Sequence, residues 1–416
     1  MSGIEKFANL ASGYRRLAAP GRLLALAVTL LAALAPHCVQ AQTKFKLLYT
    51  FPGNPNGGVP FAGLVRDAAG NLYGATYNGG GHECDCGVVF KIDSTGRETP
   101  LHAFSGGPDG SSPTGTLVLD SDGNLYGTAG SGGIYGYGIV FKMNSAGHET
   151  VLYNFTADAP FPFAGLTRDT AGNLYGTTSE GGTSKVCTPY CGTVFEVDSS
   201  GTEKLLYTFT GGPDGSSPVA ALIEDSGHFY GATFEGGGST ACSRGCGTIF
   251  QLEPTGAETV LYTFTGGPDG ASPEAGVIRD GFGNLYGATI NGGSSTNCTG
   301  GCGTVFKLDS NGRETVLHSF AAGVDGSFPS GSLVRDESGN LYGTTLNGGG
   351  SPNCPAGCGT VFKVDATGTV TLLHRFIGKA DGQNPYAGLL LDSSGNLYGT
   401  TEAGSRGFGT VFELTQ

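Results

Sequence analysis

The phrase Gly-Asn-Leu-Tyr-Gly recurs with its Asn at positions 71, 124, 173, 284, 340 and 396, and a degenerate copy, Gly227-His228-Phe229-Tyr230-Gly231, fills the one gap. Successive copies lie 49 to 56 residues apart. A fixed period of this length marks one supersecondary unit stacked on itself, because a single unit cannot bury its own apolar face. Around the phrase runs a longer unit, clearest at 266–321: GGPDGASP, EAGVIRD, GNLYGAT, a loop, CGTVFKLD, a short turn and GRETVLHSF. Each copy offers four runs rich in Val, Leu, Phe, Tyr and Thr, separated by Gly, Asp, Asn, Ser or Pro, which is a strand-and-turn pattern. In the sixth copy it predicts strand a at 331–336, b at 340–345, c at 360–365 and d at 370–376. The a-b link Asp336-Glu337-Ser338-Gly339 and the c-d link Asp365-Ala366-Thr367-Gly368 both open with Asp and close with Gly. That is hairpin chemistry, in which Asp binds its own backbone and Gly takes positive φ.

Four-stranded meanders in tandem are the sequence form of propeller blades. The expected fold is therefore all-β, a seven-bladed β-propeller of four-stranded blades. Its ends supply a closure. Residues 409–414 read as a strand c with no strand d after it, and residues 44–51 read as a strand d with no a, b or c before it. Pairing the N-terminal strand with the C-terminal blade completes the seventh blade and covers two edges that would otherwise aggregate. Strands b and c, flanked by blades on both sides, are expected to be apolar throughout. The recurring Tyr126, Tyr175, Tyr230, Tyr286, Tyr342 and Tyr398 read as core residues whose hydroxyls need a partner.

Residues 1–41 read as a signal peptide, with basic Lys6, Arg15, Arg16 and Arg22, a 13-residue apolar run from Leu23 to Ala35, and a Val39-Gln40-Ala41 cleavage signal. The run is short of the roughly 20 residues a membrane span needs. The remainder, 42–416, is expected to be a single propeller domain, secreted to the periplasm or the extracellular space, without membrane insertion, and monomeric. The chain carries a net charge of −13, and loss of the leader's four bases and one acid takes it to −16. Such a surface repels phosphate backbones, which excludes nucleic acid as a partner.

The ten cysteines after the leader fall in five close pairs, Cys84/Cys86, Cys187/Cys191, Cys242/Cys246, Cys298/Cys302 and Cys354/Cys358, each in a b-c loop; the second and seventh copies lack both members. All-or-none occurrence points to local disulfides in an oxidising compartment. A zinc site needs four ligands around one ion, and these pairs sit on different blades. The b-c loops share a face of the disc with the segments joining one blade to the next. Those segments place Asp or Asn four residues before Pro: Asn56, Asp109, Asp158, Asp214, Asp269, Asp325 and Asp381. As a ring near the channel mouth they are candidate binding residues; the preferred reading is that each caps its own turn. No cofactor is required. A bound calcium ion is compatible with such oxygen ligands, and no particular metal site is defined.

No G-x-S-x-G elbow, H-E-x-x-H helix or P-loop occurs. His102, His318 and His374 occupy the strand d slot held elsewhere by Tyr49, Tyr153, Tyr207 and Tyr262, so they read as outer-strand residues, and no catalytic residue is assigned. The fourth copy, with Glu224-Asp225 and His228, is the one local departure from the pattern.

Gly-Asn-Leu-Tyr-Gly-Thr-Thr, Cys-Gly-Thr-Val-Phe-Lys-Val-Asp and Leu-Tyr-x-Phe together resemble the Gloeobacter and Verrucomicrobia type tandem repeat of secreted bacterial proteins, over essentially all of 44–416. That resemblance implies a surface-directed protein and supplies no activity or catalytic positions. The expected function is a non-catalytic binding or surface-interaction propeller, recognising a glycan, protein or small ligand on the disulfide-loop face. The alternative is a propeller hydrolase or lyase, divalent-ion dependent in one version, acting on a sugar, lactone or peptide.

Overall fold

The computed structural model describes residues 43–416 apart from 82, 185, 186, 188–190 and 405; the leader expected over 1–41 lies outside the described residues. These residues form 28 strands in seven four-stranded antiparallel sheets, and six of the sheets keep sequence order. The seventh joins Leu390–Leu391, Leu397–Thr401 and Thr410–Thr415 to the N-terminal Lys44–Thr50. Its register runs from Lys44 opposite Thr415 to Thr50 opposite Thr410, so the ring closes as the ends of the sequence require.

The repeat is a set of contacts made at every junction. The Phe that follows each strand d meets the strand c Phe of the next blade edge to face: Phe104 on Phe141 at 5.4 Å, Phe320 on Phe362 at 5.1 Å and, across the closure, Phe51 on Phe90 at 5.0 Å. Such pairs add to area burial by about 0.5–1.5 kcal/mol each. Strands b and c are buried along their length, apart from a half-buried strand c residue beside the b-strand Tyr, while strand d is half-exposed. The Gly of Leu-Tyr-Gly makes room for a ring: a Cβ on Gly343 would stand 2.6 Å from the tip of Phe362 and 2.8 Å from Leu333. The tyrosine hydroxyl finds its partner in the acid that ends strand a, as in Tyr342 Oη to Asp336 Oδ2 at 2.9 Å and Tyr73 Oη to Asp67 Oδ2 at 2.9 Å.

Two features depart from the sequence pattern. Strand a, expected over 331–336, pairs only as Val334–Arg335. Its first half leaves the ladder to pack on the same segment of the next blade, where a Cβ on Gly331 would lie 2.5 Å from the Ala387 carbonyl oxygen. Strand d carries a bulge in every blade, and the extra residue is always Leu, such as Leu373 between Leu372 opposite Phe362 and His374 opposite Val361. The bulge turns a carbonyl toward the following blade's c-d turn: a Cβ on Gly147 would lie 2.8 Å from Leu101 O, and one on Gly368 2.9 Å from Leu317 O.

Copy-to-copy comparison also exposes a flaw. Ala322 has φ 62°, in the slot where the sibling blades carry Gly106, Gly211, Gly266 and Gly378 at φ 73° to 82°. Ala322→Gly is expected to stabilise the protein by about 1 kcal/mol, since relief of left-handed strain exceeds the added entropy of the unfolded chain. Thermal melts of the two proteins check it; an unchanged or lower Tm contradicts the strain argument.

Candidate functional site at the channel mouth

Each blade-to-blade segment ends in a proline whose preceding residue is left-handed although none is glycine: Val59, Ser112, Phe161, Ser217, Ser272, Phe328 and Asn384 have φ between 54° and 64°. Such a conformation costs of order 1–3 kcal/mol, and two backbone hydrogen bonds hold it. Ser112 N–H donates to the carbonyl of Cys86 in the previous blade at 2.8 Å, and its own carbonyl accepts from Gly130 N–H at 3.1 Å. The same pair recurs at Asn384, with Cys358 O at 2.8 Å and Glu402 N–H at 3.0 Å.

All five cysteine pairs are disulfide-bonded, as their spacing suggests. The two members of each pair differ in burial. The second cysteine of each pair is core: Cys191, Cys246 and Cys302 are buried at 1%, 0% and 0% exposure, and Cys86 and Cys358 are buried with them. Cys191 packs with Tyr175, Val194 and Phe209, Cys246 with Tyr230, Ile249 and Phe264, and Cys302 with Tyr286, Val305 and Phe320. The physical reason is position. Each of these cysteines stands one residue before the glycine that leads into strand c, where two blades already cover the chain. Their backbones do the anchoring, since the carbonyls of Cys191, Cys246 and Cys302 accept from Ser217 N–H at 2.9 Å, Ser272 N–H at 2.8 Å and Phe328 N–H at 2.9 Å. Cys191, Cys246 and Cys302 are therefore structural residues and none lines the cavity described next. In five junctions a crosslinked loop holds the kink of the next blade.

The kink delivers the residue after the proline to the channel. Phe61, Thr114, Phe163, Val219, Glu274, Ser330 and Tyr386, one per blade, line a cavity of about 600 Å³ at the disulfide-loop face. Below them the wall is nearly all Gly, Ala, Ser and Thr, including Gly63, Gly115, Thr116, Gly165, Ala221 and Ser332. The backbones there are too close for larger residues: a Cβ on Gly115 would lie 2.5 Å from Ala164 O. Leu346 and Glu402, each following a strand b, complete the rim.

One constellation breaks the sevenfold repeat. Tyr386 of the seventh blade donates its hydroxyl to Glu274 Oε1 of the fifth, across the mouth. Ser330, from the blade between, donates to the Tyr386 carbonyl at 3.0 Å, and Phe61 packs its ring edge-on to Tyr386 at 5.2 Å. Glu274 Oε2 is buried and has no hydrogen-bond partner. Burial raises the Glu274 carboxyl above its ordinary range, against the opposing hydrogen bond from Tyr386. Burial raises Tyr386 far above the ordinary tyrosine value, and the Glu274 charge and hydrogen bond raise it further. Glu402 is raised by burial alone. Among the described residues, no Lys, Arg or His lines this cavity.

The D-x-x-x-P side chains stand elsewhere, in their own turns near the rim of the disc. Asp269 accepts Thr265 N–H at 2.8 Å, Thr265 Oγ1 at 2.5 Å and Tyr262 Oη at 3.0 Å; Asp214 does the same with Thr210 and Tyr207. His374 Nε2 lies 3.1 Å from Asp381 Oδ2 and His318 Nε2 3.4 Å from Asp325 Oδ2, which makes Tyr and His interchangeable partners of the capping acid. Asn56 instead donates its amide to Glu98 Oε2 at 3.1 Å. None of the seven lines the cavity. Among the described residues no group of three or more His, Cys, Asp or Glu is placed to hold a metal ion. The fourth-copy anomaly lies in the turn face: His228 Nε2 is 3.1 Å from Glu253 Oε1, and Asp225 pairs with Arg279.

Sequence reasoning missed Glu274, Tyr386 and Glu402. For Glu274 and Tyr386 the signal was in the column immediately after the repeated proline, and for Glu402 in the column immediately after strand b, both of which change chemistry from blade to blade.

A ring of seven four-stranded blades around a cavity at the channel mouth defines a β-propeller. A profile described as the Gloeobacter/Verrucomicrobia repeat matches residues 37–190 and 188–412, and the chain belongs to that family. Among curated proteins the sequence finds no match. Among solved structures it is similar to an oligogalacturonate lyase from Vibrio parahaemolyticus, at 10% identity and TM-score 0.55, covering 90% of this chain and 94% of that one. It is also similar to the extracellular domain of a putative one component system from B. thetaiotaomicron, at 13% identity and TM-score 0.54, covering 90% of this chain and 42% of that one. A putative 6-phosphogluconolactonase from Bacteroides fragilis aligns at 15% identity and TM-score 0.47, over 92% of this chain and 100% of that one.

Proposed function

We propose that this is an exported binding propeller that takes a small ligand, or the end of a longer glycan or peptide, at the channel mouth on the disulfide-loop face. The observation that carries this reading is the Glu274–Tyr386 pair across a cavity of about 600 Å³, a volume within the usual range for small-molecule sites. Positions filled alike in seven blades serve the ring; a pair that joins only the fifth and seventh serves something that enters the ring's axis. The leader-like N-terminus and the five disulfides support export. The lyase named above is an oligogalacturonate lyase at 10% identity, a likeness of fold alone, and among the described residues no cationic side chain lines the present mouth, so that substrate class is not carried over.

One observation favours the catalytic alternative. A buried carboxyl raised above its ordinary range, with a second carboxyl at the same mouth, is the arrangement from which a hydrolase or lyase draws a general acid. A thermal-shift screen of oligosaccharides and small metabolites separates the two. Ligands that stabilise the wild type are expected to bind Glu274→Gln and Tyr386→Phe about tenfold more weakly or worse, and to be recovered unchanged by mass spectrometry. Product formed by the wild type and not by Glu274→Gln would establish the enzyme instead.

A further inference from the structure

We propose that the channel mouth is a site for an organic ammonium ion, held by Glu274 against the rings of Phe61 and Tyr386, with Glu402 elsewhere on the same lining. This rests on the binding reading above and names the chemistry of its ligand. Among the described residues the cavity lining brings two carboxyls to one mouth and no Lys, Arg or His. Burying a carboxylate without a cation is costly, and a ligand that supplies the cation offsets that cost where a neutral ligand leaves it standing. Tyr386 already satisfies Glu274 Oε1, and the remaining oxygen, Oε2, is buried with nothing donating to it. A primary ammonium brings to that carboxylate the positive charge that its present surroundings do not supply. Aromatic rings beside carboxylates suit organic cations over bare metal ions, since ring faces attract a cation without supplying the oxygen shell that calcium or magnesium needs. The net charge of −13 raises the local concentration of cations at the surface.

The group facing Glu274 is Tyr386, which stays neutral through the working range because burial and then the Glu274 charge raise it; Glu402, whose charge also acts on Tyr386, is itself raised by burial. An ammonium ion must displace the proton that burial favours on Glu274. Its affinity therefore rises with pH, and a neutral ligand's does not.

The test uses three probes of matched length, putrescine, 1,4-butanediol and succinate, with cellobiose as a neutral sugar, by titration calorimetry at physiological salt. Putrescine amines resemble the lysine ammonium and stay charged to about pH 9. The expected result is putrescine binding that strengthens several-fold from pH 5 to pH 8, 1,4-butanediol binding about tenfold more weakly or worse, and no heat from succinate. Glu274→Gln is expected to weaken putrescine by about tenfold or more, and Glu402→Gln by less, with both variants retaining the wild-type circular dichroism spectrum. Equal binding of diamine and diol, or putrescine binding that ignores Glu274→Gln, overturns the ammonium assignment. Cellobiose binding that depends on Glu274, with none for putrescine, overturns it while leaving the binding propeller intact. No heat from any of the four overturns the assignment, and an empty result in the wider ligand screen removes the binding reading as well.

Discussion

Deletion of residues 43–51 is expected to abolish the cooperative thermal transition and to leave a protein that scatters light on warming. The segment supplies the outer strand of the seventh blade, paired from Lys44 opposite Thr415 to Thr50 opposite Thr410. It places Phe51, fully buried, against Phe90 of the first blade, and Phe45 between His374 at 4.1 Å and Phe412 at 5.7 Å. Removing one buried Phe from a packed core costs about 3–5 kcal/mol, and the deletion also orphans the backbone groups of Thr410–Thr415 along an open edge. Against a net stability of about 5–15 kcal/mol, that loss unfolds the ring. Phe51→Ala is the graded version. Its cost is expected to match that of Phe209→Ala, the same slot within the continuous chain, in which Phe209 meets Phe250 at 5.1 Å. A deletion variant that melts cooperatively within a few degrees of the wild type would show that the closure adds nothing to stability.

The second large effect is a fall in stability between pH 5 and pH 8. At three junctions the first residue of strand d is a half-buried Glu facing the capping acid of the previous segment. Burial first, and then the charge of Asp109, Asp214 or Asp269, raises Glu149, Glu258 and Glu314 from 4.5 to about 7. A carboxyl whose folded value lies above its unfolded value contributes stability that is complete below pH 4.5 and lost as pH climbs through 7. These side chains are only partly buried, so after solvent screening each is worth about 1 kcal/mol. Glu258→Gln is therefore expected to stabilise the protein by about 1 kcal/mol at pH 8 and to leave it unchanged at pH 4, with the triple variant near 3 kcal/mol, about the sum of its parts. Junction one is a built-in control: burial still raises Glu98, but Asn56 stands in place of the acid and its amide opposes the shift. Denaturant melts at the two pH values decide it; equal midpoints for wild type and triple variant would sink the junction argument. The opposite limb lies in acid. Burial works against ionisation of Asp336, but Asn340, through its side chain and backbone, and Tyr342 outweigh it and hold the acid below 3.8. Stability from that group, and from Asp67, Asp169 and Asp280 in the same slot, is lost only as pH falls below that value.

The reach of sequence reasoning differed between ring and site for a physical reason. Strand count and blade order follow from local chemistry repeated seven times, and pairing of cysteines from a spacing repeated five times, so repetition averages out any single degenerate copy such as Gly227-His228. Spacing alone does not tell which cysteine of a pair is buried. Cys191, Cys246 and Cys302 sink into the core because strand c begins two residues later and is covered from both sides. The bulging Leu of strand d is invisible in a period-two pattern, because it is an extra residue whose need arises from the neighbouring blade's turn at its carbonyl. The shortening of strand a to Val334–Arg335 has the same origin in the next blade.

The repeat by itself determined an all-β ring of seven blades, since alternation, turn residues and spacing act within about 56 residues of one another, and the closure followed from an unmatched strand c and an unmatched strand d. Only the tertiary structure decided which side chains meet on the axis. Glu274 and Tyr386 are 112 residues apart, and no local rule relates them. They are brought together because each follows a left-handed residue and a proline in its own blade, and closing the circle turns seven such positions toward one point.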